Sequence, residues 1–382
     1  MGLLLLALNI LIGDRAKCLG MIFGVAFATL LIVQQSAIFV GLLERAGAAV
    51  RDVQEADLWV MDPAVATVDE PRPMRDTVLA RVRGVQGVAW AVPLFRGAAT
   101  LRTPDGRQVS VTVVGVDDAT TIGAPLRLAL GQRESLRAPD SVFVDVDGYA
   151  RLFPGMAPAL GAELELNDRR AVVRGITLSS PAFAGVPVVV TRLSQALAYT
   201  NNGRNTLSFV LARSADDADR DAVAAAVAAA TGQRVLTRDA FERASRDYVI
   251  GNTGVPVSIG TTVALGILVG IAIVALTFSI FVAENRREFG ALRAMGVGDG
   301  QLIGMIAMQA VVVGILGYLL GLGVAAAFFL FAAGNVPAFR GFYLPWEVAV
   351  LTAALVVAIM AIAAGLSLRR VLAIDPAIVF RG

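Results

Sequence analysis

Four runs, at about 19–43, 257–283, 302–333 and 346–368, are apolar over lengths that cross a hydrocarbon layer. Their interiors hold no Asp, Glu, Lys, Arg or His. Backbone groups inside lipid must be satisfied within their own segment, so each run is predicted to be a helix. The chain is 56% apolar and only 17% charged, against about 25% charged in an average soluble domain. Ion-coupled carriers keep an ionisable side chain inside the bilayer for use, and these runs offer none. Gln34, Gln35, Thr277 and Gln309 are the main polar groups within them. They read as hydrogen-bonding partners between neighbouring helices.

Composition removes several kinds of chemistry. There is no histidine, which excludes a Ser-His-Asp triad, a His-containing zinc site and the usual proton shuttle. Cys18 is the only cysteine, so no intrachain disulfide can form, and it reads as a packed thiol. The formal net charge of +2 carries no nucleic-acid footprint. Lys17 is the only lysine, a bias read as genome composition. No Gly-x-x-x-x-Gly-Lys-Ser/Thr loop is present to cradle nucleotide phosphates. No catalytic residue, metal site or cofactor is therefore assigned to this chain. If ATP drives it, ATP and Mg are bound by another subunit.

Between the second and third apolar runs lies Glu284-Asn285-Arg286-Arg287-Glu288-Phe289-Gly290-Ala291-Leu292-Arg293-Ala294-Met295-Gly296, followed by a Gly-x-Gly-Asp-Gly turn over 296–300. At helical spacing Glu284 and Glu288 share a face, and Glu284 reaches Arg287. Such a segment can be a mere charged flank, since arginines gather beside cytoplasmic membrane ends. Its detailed pattern, Glu-x-x-Arg-Glu-x-Gly-x-Leu-Arg-Ala-Met-Gly, resembles the signature of the FtsX/MacB-like ABC permeases. The closing Leu368-Arg369-Arg370-Val371-Leu372-Ala373-Ile374-Asp375-Pro376-Ala377 and the four-run layout resemble that family too. Gln34-Gln35 and Ala56-Asp57-Leu58-Trp59-Val60-Met61 look most like its DevC branch of exporter permeases. The resemblance implies that 284–301 faces an ATPase. Glu284, Arg286, Arg287, Glu288, Gly290, Leu292, Arg293 and Gly296 would couple to that partner, with Gly290 allowing its close approach.

The expected fold class is thus a membrane α-helical protein of four transmembrane helices, with a large α+β extracytoplasmic domain between the first two. Residues 1–18 read as a cytoplasmic interfacial helix. Transmembrane helices follow at 19–43, 257–283, 302–333 and 346–368, with a short periplasmic loop at 334–345 and a cytoplasmic tail at 369–382. Arg286, Arg287, Arg369 and Arg370 put those ends inside, although Arg45 and Arg51 sit against the rule on the outer flank of the first run. The first run is too long for a cleaved signal peptide. Tyr343 and Trp346 fit an interfacial aromatic anchor.

Residues 44–256 regain charge and alternation, and read as a periplasmic domain of two lobes, porter-like and strand-rich. Strands are predicted at 57–61, 96–103, 108–116, 141–144, 163–166, 171–173, 186–190 and 207–211, with a hairpin turn at Pro104-Asp105-Gly106. Helices are predicted at 73–82, 193–199, 216–230 and 238–248, the last extending as a stalk into the second span.

Gly20 and Gly24, Gly266 and Gly270, and Gly317 and Gly321 recur at the four-residue spacing that lets helices approach, within the chain or across a homodimer. The family resemblance implies a permease subunit of an ABC exporter in the bacterial inner membrane, multi-pass, with both termini cytoplasmic. It would transmit ATP hydrolysis on a separate ATPase to its periplasmic domain. Implied partners are that ATPase, a second copy, membrane lipid, and a periplasmic adaptor with an outer-membrane channel. The alternative is an FtsX-like signalling protein that controls a wall hydrolase without transport.

Overall fold

The computed structural model describes residues 2–179, 183, 185–200, 206–336, 339 and 341–372. Side chains of 2–5, Arg286, Arg287, Phe289 and 367–372 lie outside the description. The chain divides into two compact units, one of residues 1–40, 254–333 and 342–382, the other of 41–253 and 334–341.

The chain opens with α1 (Gly2–Gly13) and α2 (Arg15–Ala46), then a single turn, α3 (Ala48–Asp52). The second unit begins its sheet with β1 (Leu58–Met61), buried on both faces. A two-residue β2 (Met74–Arg75) and α4 (Thr77–Arg83) follow where one longer helix is predicted from the sequence. Met74 pairs with Leu207, which takes the start of that stretch out of the helix.

Next comes β3 (Val88–Arg102), fifteen residues long, which organises the unit. Its first half pairs antiparallel with β11 (Phe209–Ser214), and its second half with β4 (Gln108–Val116). The remaining elements are β5 (Leu128–Gly131), β6 (Ser141–Asp145), α5 (Val146–Leu152), β7 (Glu163–Leu166), β8 (Arg169–Thr177), β9 (Val188–Arg192), α6 (Leu193–Tyr199), β10 (Thr206–Leu207), α7 (Arg220–Thr231), β12 (Arg234–Thr237) and α8 (Arg238–Asn252).

Two lobes share β3. In the first, the strand order is β12-β1-β11-β3, all antiparallel. Helices α4 and α7 cover one face through Val78, Val82, Val223 and Val227. Read along the chain this is strand-helix-strand-strand-helix-strand, the ferredoxin-like arrangement. Pro93 sits in the half of β3 that forms the outer edge of this lobe, where a missing N–H costs no ladder bond. In the second lobe, β3, β4, β9, β6, β8 and β7 pair in a ring that returns to β3. Its interior is filled by Leu101, Val113, Val142, Leu164, Val173 and Val189. The barrel is thus inserted between the second and third strands of the ferredoxin-like lobe.

Two predicted helices need correction here. The residues at 216–219 are not helical: Asp219 caps α7 by accepting from the Asp221 N–H at 3.1 Å, so the helix begins at Arg220. The 238–248 helix does not run on into the second span. It ends at Asn252, Thr253 is extended, and Gly254 starts a new helix. The two arginines that break the charge rule have structural work. Arg51 pairs with Glu242 of α8 at 3.0 Å, and Arg45 is buried in the electrostatic field of Asp147.

The first unit holds α9 (Val255–Glu284), α10 (Arg286–Ala294), α11 (Asp299–Asn335) and α12 (Trp346–Leu372). Helices α2, α9, α11 and α12 are long and apolar enough to cross a membrane. The six glycines lie at crossings within this one chain. A Cβ on Gly24 would stand 2.6 Å from Ile273, on Gly270 2.6 Å from Ala28, and on Gly321 2.4 Å from the Ala26 carbonyl oxygen. Gly317 faces Val25 at 2.5 Å, Gly266 faces Leu31 at 3.3 Å and Gly20 faces Thr277 at 3.7 Å. Small residues thus seat α2 against α9 and α11, as close packing in lipid requires.

Candidate partner-docking site

The charged segment between α9 and α11 is a short helix with a built stop at each end. At its start Asn285 leaves helical geometry, and its side chain turns back to donate to the Phe281 carbonyl at 2.8 Å. The sequence reading of one continuous helix face through Glu284 and Glu288 therefore fails. Glu284 pairs with Lys17 of α2, which also holds Asp14. The Lys17 hydrogen bond keeps the Asp14 carboxyl below the usual carboxylate range.

At the other end the Val297 N–H bonds the Leu292 carbonyl and the Gly296 N–H bonds the Arg293 carbonyl, both at 3.1 Å. Gly296 has φ +91°. These two crossed bonds form a Schellman motif, in which the left-handed residue favours glycine. Leu292 is buried, and Val297 packs on the same cluster. Arg293 then pairs with Asp299 at 3.1 Å. The Gln301 side chain reaches back to the Gly298 N–H at 3.3 Å, the returning arm of a capping box. The Gly-x-Gly-Asp-Gly turn is accordingly shorter than its sequence suggests, because α11 already includes Asp299 and Gly300.

Only part of the predicted set faces outward. Glu284, Glu288 and Gly296 are exposed and Arg293 half-buried, whereas Leu292 and Gly290 are buried in the chain's own packing; Met295, outside the set, is exposed too. The side chains of Arg286, Arg287, Arg369 and Arg370, and residues 373–377 of the closing motif, lie outside the described residues.

Helix α1 forms a second wall. Ala7 and Leu11 are buried in the cluster that holds Leu292, and the Ala7 carbonyl accepts from Gln309 at 2.8 Å. The expected interfacial helix therefore has a protein partner. Between α1 and α10 lies a cleft of about 900 Å³, with Leu6, Ile10 and Leu292 among its apolar lining and Arg15, Asn285 and Glu288 among its polar lining. Among the described residues no cluster of His, Cys, Asp or Glu suited to a metal ion occurs.

The FtsX-like permease C-terminal family model matches residues 260–376, which contains the whole α10 segment. The MacB-like periplasmic core domain model matches residues 18–230, more than half of the chain. The chain belongs to the FtsX/MacB-like ABC transporter permeases. Among its relatives, an uncharacterised ABC transporter permease of Mycobacterium tuberculosis is 28% identical over 321 residues, covering 81% of this chain and 80% of that one. The macrolide export ATP-binding/permease protein MacB of Agrobacterium fabrum is 26% identical over 323 residues. That match takes in 80% of this chain and 47% of MacB, so the permease spans about half the length of that relative. The crystal structure of the periplasmic region of MacB from Actinobacillus actinomycetemcomitans aligns with a TM-score of 0.39 at 13% identity, over 53% of this chain and 96% of that one.

For the permease, membership and four apolar helices together mean a multi-pass membrane protein with a MacB-like α+β domain between its first two spans. An ABC permease implies a partner ATPase, in keeping with the missing phosphate loop. Sequence reasoning missed two anchors of the segment, Lys17 and Asn285, whereas Gln309 bonds a neighbouring helix as its sequence position suggested. The signal for Lys17 was its solitude, since one lysine among thirty-two arginines marks a position as readily as a codon bias.

Proposed function

We propose that the permease couples ATP hydrolysis on a separate ATPase subunit to movement of its α+β domain, and so to export or extraction of a substrate on the far side of the bacterial inner membrane. In this reading both termini and α10 are cytoplasmic, and the chain works as a homodimer with ATP and Mg on the partner. A periplasmic adaptor and outer-membrane channel complete the path. MacB, named as a macrolide exporter, supports the direction of transport.

One observation carries the reading. The α10 segment is a preformed helix set off from α9 at Asn285 and closed by the turn at Gly296, anchored inward by Leu292 and presenting Glu288 outward. A lever of this kind passes a push from a docked protein into α9 and α11, because its stops leave little backbone freedom to absorb it. The spans carry no ionisable group in their interiors for an ion-driven cycle.

The test is the double reversal Arg286→Glu with Arg287→Glu in the full chain. Single exposed pairs contribute about 1 kcal/mol or less, so both are changed together. The reversal is expected to cut co-purification of the ATPase while insertion and dimer formation persist. Unchanged complex formation and unchanged ATP-dependent function would leave the segment a simple charged flank.

A further inference from the structure

We infer that the partner ATPase docks in the cleft between α1 and α10, seating an apolar side chain there, and not on α10 alone. This rests on the reading of α10 above and extends it to α1, which neither the motif nor the family models assign to docking.

Three features of the cleft select the occupant. Its lining is apolar inside, through Ile10 and Leu292, and a volume of about 900 Å³ is ample for a large side chain and its flanking backbone. Leu6 and Met295 lie at its margins, 39% and 73% exposed. Methionine in such a place adapts to an incoming shape. Third, the cleft presents one exposed cation and one exposed carboxylate: Arg15 on the α1 side, where its neighbour Asp14 is already paired with Lys17, and Glu288 on the α10 side.

A hydrocarbon chain is a poor occupant, because it would desolvate Arg15, Asn285 and Glu288 without pairing them. The complementary surface belongs to a soluble protein. It offers an apolar side chain flanked by a cation to meet Glu288 and a carboxylate to meet Arg15, and this pairing sets the register of docking. Because α1 is fastened to α11 by Ala7 and Gln309, force applied in the cleft reaches two spans through two separate contacts.

The experiment places a benzophenone amino acid at Asn9 or at Glu288 in the full-length chain, irradiates whole cells, and identifies the product by mass spectrometry. The expected result is that both positions capture one protein whose peptides include a Gly-x-x-x-x-Gly-Lys-Ser/Thr loop. Leu6→Glu, and independently Asn9→Trp, which fills the cleft from an exposed position, are each expected to lower the product at 288 about tenfold. Capture of the ATPase at 288 but not at 9 overturns the two-walled site and leaves the α10 reading standing. Capture at neither position overturns both. Capture of a second copy of the permease at 9, or an unchanged yield at 288 in both cleft variants, also overturns the proposal.

Discussion

Single side chains decide where this permease is stiff. Asp145 is 3% exposed at the end of β6. It accepts from the Gly148 N–H at 2.8 Å and from the Val188 N–H at 2.7 Å, tying α5 and the start of β9 to the end of β6. Burial outweighs those bonds and pushes its carboxyl from 3.8 up to about 6. The folded chain therefore holds this proton across a window where the unfolded chain has lost it. The contribution to stability is fully present below about pH 4 and falls as pH rises towards 6. Thermal unfolding of wild type and Asp145→Asn at a series of pH values is expected to show it. The wild type should lose on the order of 2 kcal/mol relative to the variant between pH 4 and 6.5. A difference that stays flat across that range counts against the assignment. Glycines make the same point in the membrane unit. Gly321→Val forces a Cβ against the Ala26 carbonyl oxygen, whereas Gly323 on the same helix has nothing within 4 Å. The first substitution should cost about 1–3 kcal/mol of overpacking and the second little, measured by thermal stability in detergent.

Among the elements, α10 owes its form to its ends more than to helix propensity. Nine residues are too few to hold an isolated helix. The Asn285 stop, the Schellman turn at Gly296 and the Leu292 anchor confine it. Gly296→Ala should therefore loosen the segment by about 1 kcal/mol, because its φ of +91° suits glycine alone. Faster amide exchange across 286–297 would report it, and unchanged protection would show that the turn is not the stop. Orientation is a second property at this scale. With single cysteines at Ser110 and Gly298 in a Cys18→Ser background, a thiol reagent confined to the periplasm should label the first and spare the second. The reverse pattern would invert the topology, and with it the assignment of α10 to the cytoplasmic side.

For the whole molecule, the expectation is that chemistry resides on a partner. The purified chain should hydrolyse no ATP, since it has no phosphate-cradling loop. Turnover by a preparation shown by mass spectrometry to lack any ATPase subunit would overturn this. The proposed homodimer would use faces other than the six glycines, which are spent on crossings inside one chain. Cross-linking through cysteines at exposed positions such as Phe23 or Leu268, 66% and 63% exposed, is the appropriate probe. Dimer cross-links confined to Gly266 or Gly317 would contradict that packing.

The sequence by itself determined whatever depends on local pattern. Four uncharged runs of sufficient length specify four helices, because lipid offers the backbone no other partner. Strict alternation over 108–113 specifies a strand with one buried face, and the motif at 284–296 specifies the family. Tertiary structure decided whatever depends on residues far apart in the chain. The first half of β3 reads as an ambiguous apolar run with a proline, and only its position at the edge of one lobe makes Pro93 acceptable there. Ring closure of the barrel joins β3 to β7 across some sixty residues, as Leu101 meets Leu166, a pairing no window along the chain contains. The same holds at the docking site. Motif spacing marked Glu284 and Gly290, but only the tertiary structure decided that Lys17, 267 positions away, pairs with the first, and that the second is buried within the chain.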